Sequence, residues 1–196
     1  MCLYIKNDIA CKAFKKVDRK LFVPKRWLDY AYSDSAIPLD GISSISQPSL
    51  VAQMIDLLDL TGKEHVLEIG TASGYSGAIL SLCCKKVDTI EIDPELAETA
   101  RKRLEKLSFN NITVHTGDGS LGLASKAPFD AIVVTAAAKE IPKALITQLK
   151  AHGRIVIPIQ IEGSDMQQLV VGLKEEKGLI TKPVTIVKFV PLIMDR

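Results

Sequence analysis

The sequence predicts an open, doubly wound α/β fold: a mostly parallel, seven-stranded sheet with an antiparallel C-terminal strand. Three observations predict it. Between residues 63 and 159, short apolar runs alternate with helix-period segments, as strand–helix–strand units do. One run, Phe129 to Thr135 (FDAIVVT), is almost unbroken in its apolar character, as suits a strand covered on both faces. Beyond residue 160, two further apolar runs flank Lys174-Glu175-Glu176-Lys177-Gly178, a natural hairpin turn.

Taken in order, the first sixty residues have a mixed texture, with Pro24, Pro38, Pro48 and a polar GISSIS stretch, and Pro48 to Leu58 reads as a helix. His65 to Ile69 is the first core strand, ending at Gly70, and Ser76 to Cys84 is the helix that follows it. Val87 to Ile92 is the second strand. A helix then runs from Pro94 to about Leu107: Asp93 suits its N-cap, proline suits its first position, and Glu95 favours the positive helix start. Asn111 to His115 is the third strand and Phe129 to Thr135 the fourth. Pro142 to Leu149 is a helix ended by Gly153, and Arg154 to Ile159 is the fifth strand. Gln168 to Leu173 and Pro183 to Leu192 complete the sheet. In open sheets of this kind, ligands bind beyond the carboxyl ends of the strands, near the switch point.

Composition narrows the function classes. A chain of 196 residues with 47% hydrophobic and 24% charged residues can bury a core, which excludes global disorder. Its 25 Lys and Arg against 23 Asp and Glu leave a net charge of +2, too weak for a nucleic-acid partner, and 5% aromatics provide few stacking platforms. No stretch approaches ~18 consecutive apolar residues, so no membrane partner is expected. Cys2, Cys11, Cys83 and Cys84 form no C-x-x-C pair, and His65, His115 and His152 stand far apart, which argues against a metal site and a disulfide framework. Cys83 and Cys84 read as a buried pair on a helix end, and free thiols point to a reducing, cytoplasmic setting. The Lys/Arg-rich stretch from Ala100 to Lys106 reads as a solvated helix face.

The strongest chemical signal is Val66-Leu67-Glu68-Ile69-Gly70-Thr71-Ala72-Ser73-Gly74-Tyr75-Ser76, a strand, a small-residue loop and a helix start. Glycines there allow positive φ and close approach of a ligand to the backbone. A dinucleotide fingerprint needs G-x-G-x-x-G, and no third glycine follows Gly74. The shorter E-x-G-x-[GA]-x-G frame resembles motif I of S-adenosylmethionine-dependent methyltransferases. Glu68 suits a cationic sulfonium ligand and suits pyrophosphate poorly. Glu91, about 20 residues beyond Gly70, is placed to accept from two ribose hydroxyls. The bland alternative is a solvated strand-end charge, and Asp93 is the runner-up, already explained as a cap. Asp118, between Gly117 and Gly119, is placed to accept from an adenine amino group, or else forms an ordinary Asp-Gly turn. Thr135-Ala136-Ala137-Ala138 lacks the [ND]-P-P-[YF] sequence of enzymes that methylate amide or adenine nitrogens. No Ser-His-Asp, Cys-His or paired-carboxylate arrangement is visible. A carboxylate acceptor needs none, being ionised at neutral pH, and alignment can then supply up to ~7–11 kcal/mol.

Further motifs occur in order along the chain: Arg19-x-Leu21-Phe22-Val23-Pro24, Ala31-Tyr32-x-Asp34, Pro38-Leu39, Ser44-Ile45-Ser46-Gln47-Pro48, and Phe189-Val190-Pro191-Leu192. With the block from Val66 to Ile159, they resemble the protein-L-isoaspartate O-methyltransferase family over nearly the whole chain. The resemblance implies a Rossmann-like S-adenosylmethionine methyltransferase fold with its last two strands exchanged in order relative to other methyltransferases. It implies methyl transfer to the carboxyl of L-isoaspartyl residues in damaged proteins and peptides, with S-adenosyl-L-homocysteine as co-product. It implies one domain over 1–196, comprising a substrate-side segment (1–60), a cofactor-binding core (63–159) and C-terminal strands (160–196), working as a cytoplasmic monomer.

Residue by residue, the resemblance implies that Ser46 orients the acceptor carboxyl, and that Ser44, Ile45 and Val190 contact the bound peptide. It assigns cofactor contacts to Glu68, Gly70, Thr71, Ala72, Gly74, Glu91, Ile92, Gly117, Asp118 and Gly119. Ser46 also suits the N-cap of the helix beginning at Pro48. Serine at 44 and alanine at 72 stand where the family usually has threonine and glycine, and Asp40-Gly41-Ile42-Ser43 is less glycine-rich than usual. The alternatives are a methyltransferase of the same fold acting on a small molecule or RNA, and a non-catalytic binding module.

Overall fold

The computed structural model describes residues 5–39 and 43–194. Helix α1 (Asp8–Lys16) starts where the Asn7 side chain accepts from the Ile9 and Ala10 N–H groups, and it buries Ala10, Ala13 and Phe14. Two 3₁₀ turns, Arg19–Phe22 and Lys25–Tyr30, lead to a small antiparallel ribbon of β1 (Ile37–Pro38) and β2 (Ser44–Ile45). Helix α2 (Pro48–Leu57) follows directly and buries Val51, Ala52, Met54 and Ile55. Residues Asp40, Gly41 and Ile42, singled out above as less glycine-rich than usual, lie outside the described residues.

The core then alternates: β3 (His65–Ile69), α3 (Tyr75–Ser81), β4 (Lys86–Glu91), α4 (Pro94–Lys106), β5 (Ile112–Thr116), β6 (Phe129–Val134), α5 (Lys143–Gln148) and β7 (Leu149–Gln160). Strands β8 (Gln167–Glu175) and β9 (Gly178–Val187) close the sheet. Its order is β5-β4-β3-β6-β7-β8-β9. The chain builds outward from β3 to β5, then returns to build from β6 to β9. The switch point lies between β3 and β6, which pair in parallel from Val66↔Ala131 to Ile69↔Val134. Two apolar clusters cover the sheet, one containing Val66, Val87, Ala131 and Val133 beneath α2 and α3, the other Leu67, Ile90, Ile132 and Ile155.

The seven-stranded, mostly parallel sheet agrees with expectation, and its last three strands lie side by side in chain order, β7-β8-β9. The antiparallel pairing at the C-terminal end is present as well. β8 is antiparallel to both its neighbours, so the C-terminal strand β9 runs in the direction of β3 to β7. The hairpin is also tighter than the charge run indicated: Lys174 and Glu175 pair within β8, only Glu176 and Lys177 turn, and β9 ends at Val187. Helix α5 stops at Gln148, well short of Gly153. Residues 150–153 instead bulge opposite Asp130, between the pairs Phe129↔Leu149 and Ala131↔Arg154. Gly153 is needed there because a Cβ would lie 2.9 Å from the Asp130 and Lys150 carbonyl oxygens.

Asp93 caps α4 as expected, its Oδ1 accepting from the Glu95 and Leu96 N–H groups at 2.8 and 3.2 Å. Cys83 and Cys84 are buried free thiols just beyond α3, with burial pushing the Cys83 thiol up to about 12. Cys11 is disulfide-bonded, so the expectation that all the thiols are free does not hold. Among the described residues no helix is long and apolar enough to cross a membrane.

Candidate active site

The loops that leave β3 and β6 meet at the switch point. After Ile69 the chain turns at Gly70, whose φ is +95° and whose N–H donates to the Ile90 carbonyl at 2.8 Å. Only glycine suits this position, because a Cβ would come within 2.3 Å of Thr135 Oγ1. That hydroxyl donates to the Gly70 and Ile69 carbonyls at 2.9 and 3.0 Å, so β6 fastens the loop from β3. Ala72 carries a positive φ of 47°, a conformation that costs a side-chain-bearing residue roughly 1–2 kcal/mol. It is held there by Glu91, whose Oε2 accepts from the Ala72 N–H at 2.7 Å while Oε1 accepts from the Asp93 N–H at 3.2 Å. Glu91 is therefore a strand-end carboxylate that is 6% exposed, and the solvated-charge alternative does not hold.

A cavity of about 370 Å³ opens above these loops. On one side are Gly70, Ala72, Glu91, Ile92, Asp93 and Gly119; on the other are Ser43, Ser44, Ser46, Gln47 and Leu50, with Lys188 to Ile193 forming a further wall. Its size falls within the range of small-molecule sites, ~300–1,000 Å³. A smaller recess of about 30 Å³ adjoins it, lined by Ser44, Ile45, Ser46, Thr71 and Tyr75 among others.

Of the residues singled out in the sequence, the structure brings Ser44, Ser46, Gly70, Ala72, Glu91, Ile92, Gly119 and Val190 to one cavity, with Ile45 and Thr71 at the recess. Four others have different surroundings. Gly74, at φ +84°, starts α3 and packs toward Leu104. The Gly117 N–H donates to the Glu91 carbonyl at 2.9 Å. Asp118 caps the short 3₁₀ turn Gly119–Leu121, accepting from the Ser120 N–H at 2.8 Å, so the turn-forming role weighed for it is present. Glu68 lies fully buried beneath α3, away from the cavity lining. Thr135 and the flanking tail residues Lys188, Phe189 and Leu192 are lining residues that the sequence reading left without a role. The tail motif itself was the available signal for the last two.

The Glu68 carboxyl accepts from Thr89 Oγ1 at 2.7 Å, and the Thr89 hydroxyl also bonds that of Thr71, 2.7 Å away. This chain ties the loop to the interior of the sheet. Burial pushes the carboxyl up to about 7, against the hydrogen bonds from Thr89 and Ser76 and helped by the charge of Glu91. A carboxyl raised in this way keeps its proton in the folded chain after the unfolded chain has lost it. Its contribution to stability is complete below about pH 4.5 and is lost as the pH rises to about 7. Glu68→Gln is therefore expected to gain stability relative to the parent between pH 5 and 8, by up to roughly 3 kcal/mol. Urea unfolding at both pH values checks this; an equal difference at the two would refute it.

Ser46 is held from behind. The Arg19 guanidinium is buried and donates to the carbonyls of Ala31, Ser33, Ser35 and Ser46 at 3.0–3.1 Å. One cation so fixes the path of residues 31–35 and the backbone of the serine. The N-cap of α2 is Gln47, so the capping alternative for Ser46 is removed. Among the described residues Ser46 Oγ makes no hydrogen bond, and it faces the cavity free to donate. The tail is pinned as firmly: the Ala137 N–H donates to the Val190 carbonyl, and the Leu192 N–H to the Ala137 carbonyl, both at 2.8 Å.

The residues present suit the expected cofactor. Glu91 can accept further hydrogen bonds, the carboxylates of Glu91 and Asp93 favour a cationic ligand, and the Gly70–Ala72 backbone gives close access. Comparison with known proteins bears on the same point. The model of the family described as Protein-L-isoaspartate(D-aspartate) O-methyltransferase (PCMT) matches residues 3–196. A Protein-L-isoaspartate O-methyltransferase of Ignicoccus hospitalis is 45% identical over 98% of this chain and 92% of its own length. A Protein-L-isoaspartate O-methyltransferase 2 of Nitrosococcus oceani is 48% identical over 92% and 82%. A solved protein-L-isoaspartate O-methyltransferase superposes with a TM-score of 0.88 at 30% identity, covering 94% of this chain, which spans 61% of that one. A Plasmodium falciparum structure in complex with S-adenosyl-L-homocysteine shares the fold at TM-score 0.83 and 21% identity. With loop, carboxylate, serine and tail around one cavity and matches of this extent, the chain belongs to the protein-L-isoaspartate(D-aspartate) O-methyltransferase family.

Proposed function

We propose that this chain transfers a methyl group from S-adenosyl-L-methionine to the free carboxyl of L-isoaspartyl residues in damaged proteins and peptides. The observation that carries the reading is the Ser46 hydroxyl, which faces the same cavity as the Glu91 carboxylate with no structural partner of its own. When bound, the cofactor supplies a methyl group already activated on a sulfonium. What the protein adds is placement. Glu91 and the Gly70–Ala72 loop bind at one end, and Ser46 donates a hydrogen bond to the acceptor carboxylate at the other. The Phe189–Leu192 wall bounds the space between, where the two reactants are brought into line. The acceptor is ionised at neutral pH, so no general base is required.

The same reading takes the chain as one methyltransferase domain and as a cytoplasmic monomer. The Cys11 disulfide weighs against the thiol argument for that location. It leaves out a nucleic-acid acceptor, since Lys188 is the one cation among the described residues lining the cavity. The test is incubation with labelled cofactor and an isoaspartyl peptide beside its aspartyl twin. Labelling confined to the isoaspartyl form is expected; equal or absent labelling rejects the assignment.

A further inference from the structure

The cavity contains two carboxylates, Glu91 and Asp93, on the β4 side, and its one lining cation among the described residues, Lys188, on the wall that arrives from β9. This separation of charge suits a cationic ligand at one end and repels an anionic acceptor from it. Lys188 is held in a defined position. Its Nζ lies 2.5 Å from Asp165 Oδ2, on the turn between β7 and β8. Both partners are fixed by one buried side chain: Gln167 accepts from the Phe189 N–H at 2.7 Å through Oε1 and donates to the Asp165 carbonyl at 3.1 Å through Nε2. Gln167 thus joins the Asp165 turn to the tail segment that carries the cation.

Building on the function proposed above, we propose that Lys188 is a specificity-determining residue that captures the acceptor's ionised carboxyl, with Asp165 as the internal carboxylate it displaces. Exchanging one carboxylate for another keeps the cation paired throughout, so capture leaves no charge stranded as the acceptor loses water. Both side chains are mostly exposed, which makes the pair easy to open and sensitive to salt. The acceptor then passes from Lys188 toward Ser46 along the tail wall. Lys188 acts on binding, and the transfer step itself is left to the groups already described.

The test is steady-state kinetics of the full chain with the isoaspartyl peptide, at low and high salt. Lys188→Gln is expected to raise KM about 3–10-fold with a smaller change in kcat, and to flatten the salt dependence of kcat/KM. Lys188→Arg should restore both. Asp165→Asn should act in the opposite direction, lowering KM about 2-fold, and should have no effect once Lys188 is glutamine. A parent protein that labels isoaspartyl and aspartyl peptides alike overturns the acceptor assignment and this proposal with it. A parent that discriminates, while Lys188→Gln keeps its KM and salt profile, overturns this proposal alone. So does an Asp165→Asn effect that persists without the lysine.

Discussion

Replacing Glu91 by alanine is expected to raise the dissociation constant of S-adenosylhomocysteine about 10–100-fold, as the loss of one or two charge-assisted hydrogen bonds would. The effect has two sources that act together. The carboxylate lines the cavity and supplies acceptors on its wall. It also holds the Ala72 and Asp93 N–H groups, and Ala72 is kept in a left-handed conformation that the side chain would otherwise resist. Alanine removes the acceptor and releases the loop at once. Titration calorimetry measures the first loss and thermal unfolding the second. Unchanged cofactor affinity in the alanine variant would remove Glu91 from the binding site.

Ser46→Ala should do the reverse, lowering kcat/KM for the isoaspartyl peptide about 10–100-fold while cofactor affinity stays within about 2-fold. The prediction is sharp because the hydroxyl has no role in holding the fold. The cap of α2 is Gln47, and the Arg19 clamp acts on the serine carbonyl, which alanine retains. The substitution therefore subtracts one donor facing the cavity and little else. A fully active variant would end the role assigned to Ser46.

Much of the core was legible because it obeys local rules. The strand at His65–Ile69, the helix capped by Asp93 and the apolar β6 each appear where periodicity and capping chemistry put them. What was illegible depends on distant partners. Gly153 looks like a helix stop in sequence, yet it is required by the Asp130 carbonyl on a neighbouring strand. Glu68 and Glu91 lie on one face of adjacent strands, but Glu68 falls inside β3, opposite Thr89 and beneath α3, whereas Glu91 ends β4 two residues beyond Thr89 and reaches the cavity. Arg19 sits in a motif noted for resemblance alone; its four carbonyl partners come from segments up to 27 residues away. Lys188 carries no signal of its own beyond adjoining the tail motif.

The direction of β9 matters for how the cavity is enclosed. Two reversals, β7 to β8 and β8 to β9, bring the chain back to the end of the sheet from which β3 and β6 also exit. An odd number would have delivered residues 188–192 to the opposite rim, some 10 residues of strand away from Ala137. Parity of the final hairpin therefore decides that one cavity is walled jointly by the first core strand's exit loop and by residues 188–193 from the far end of the chain.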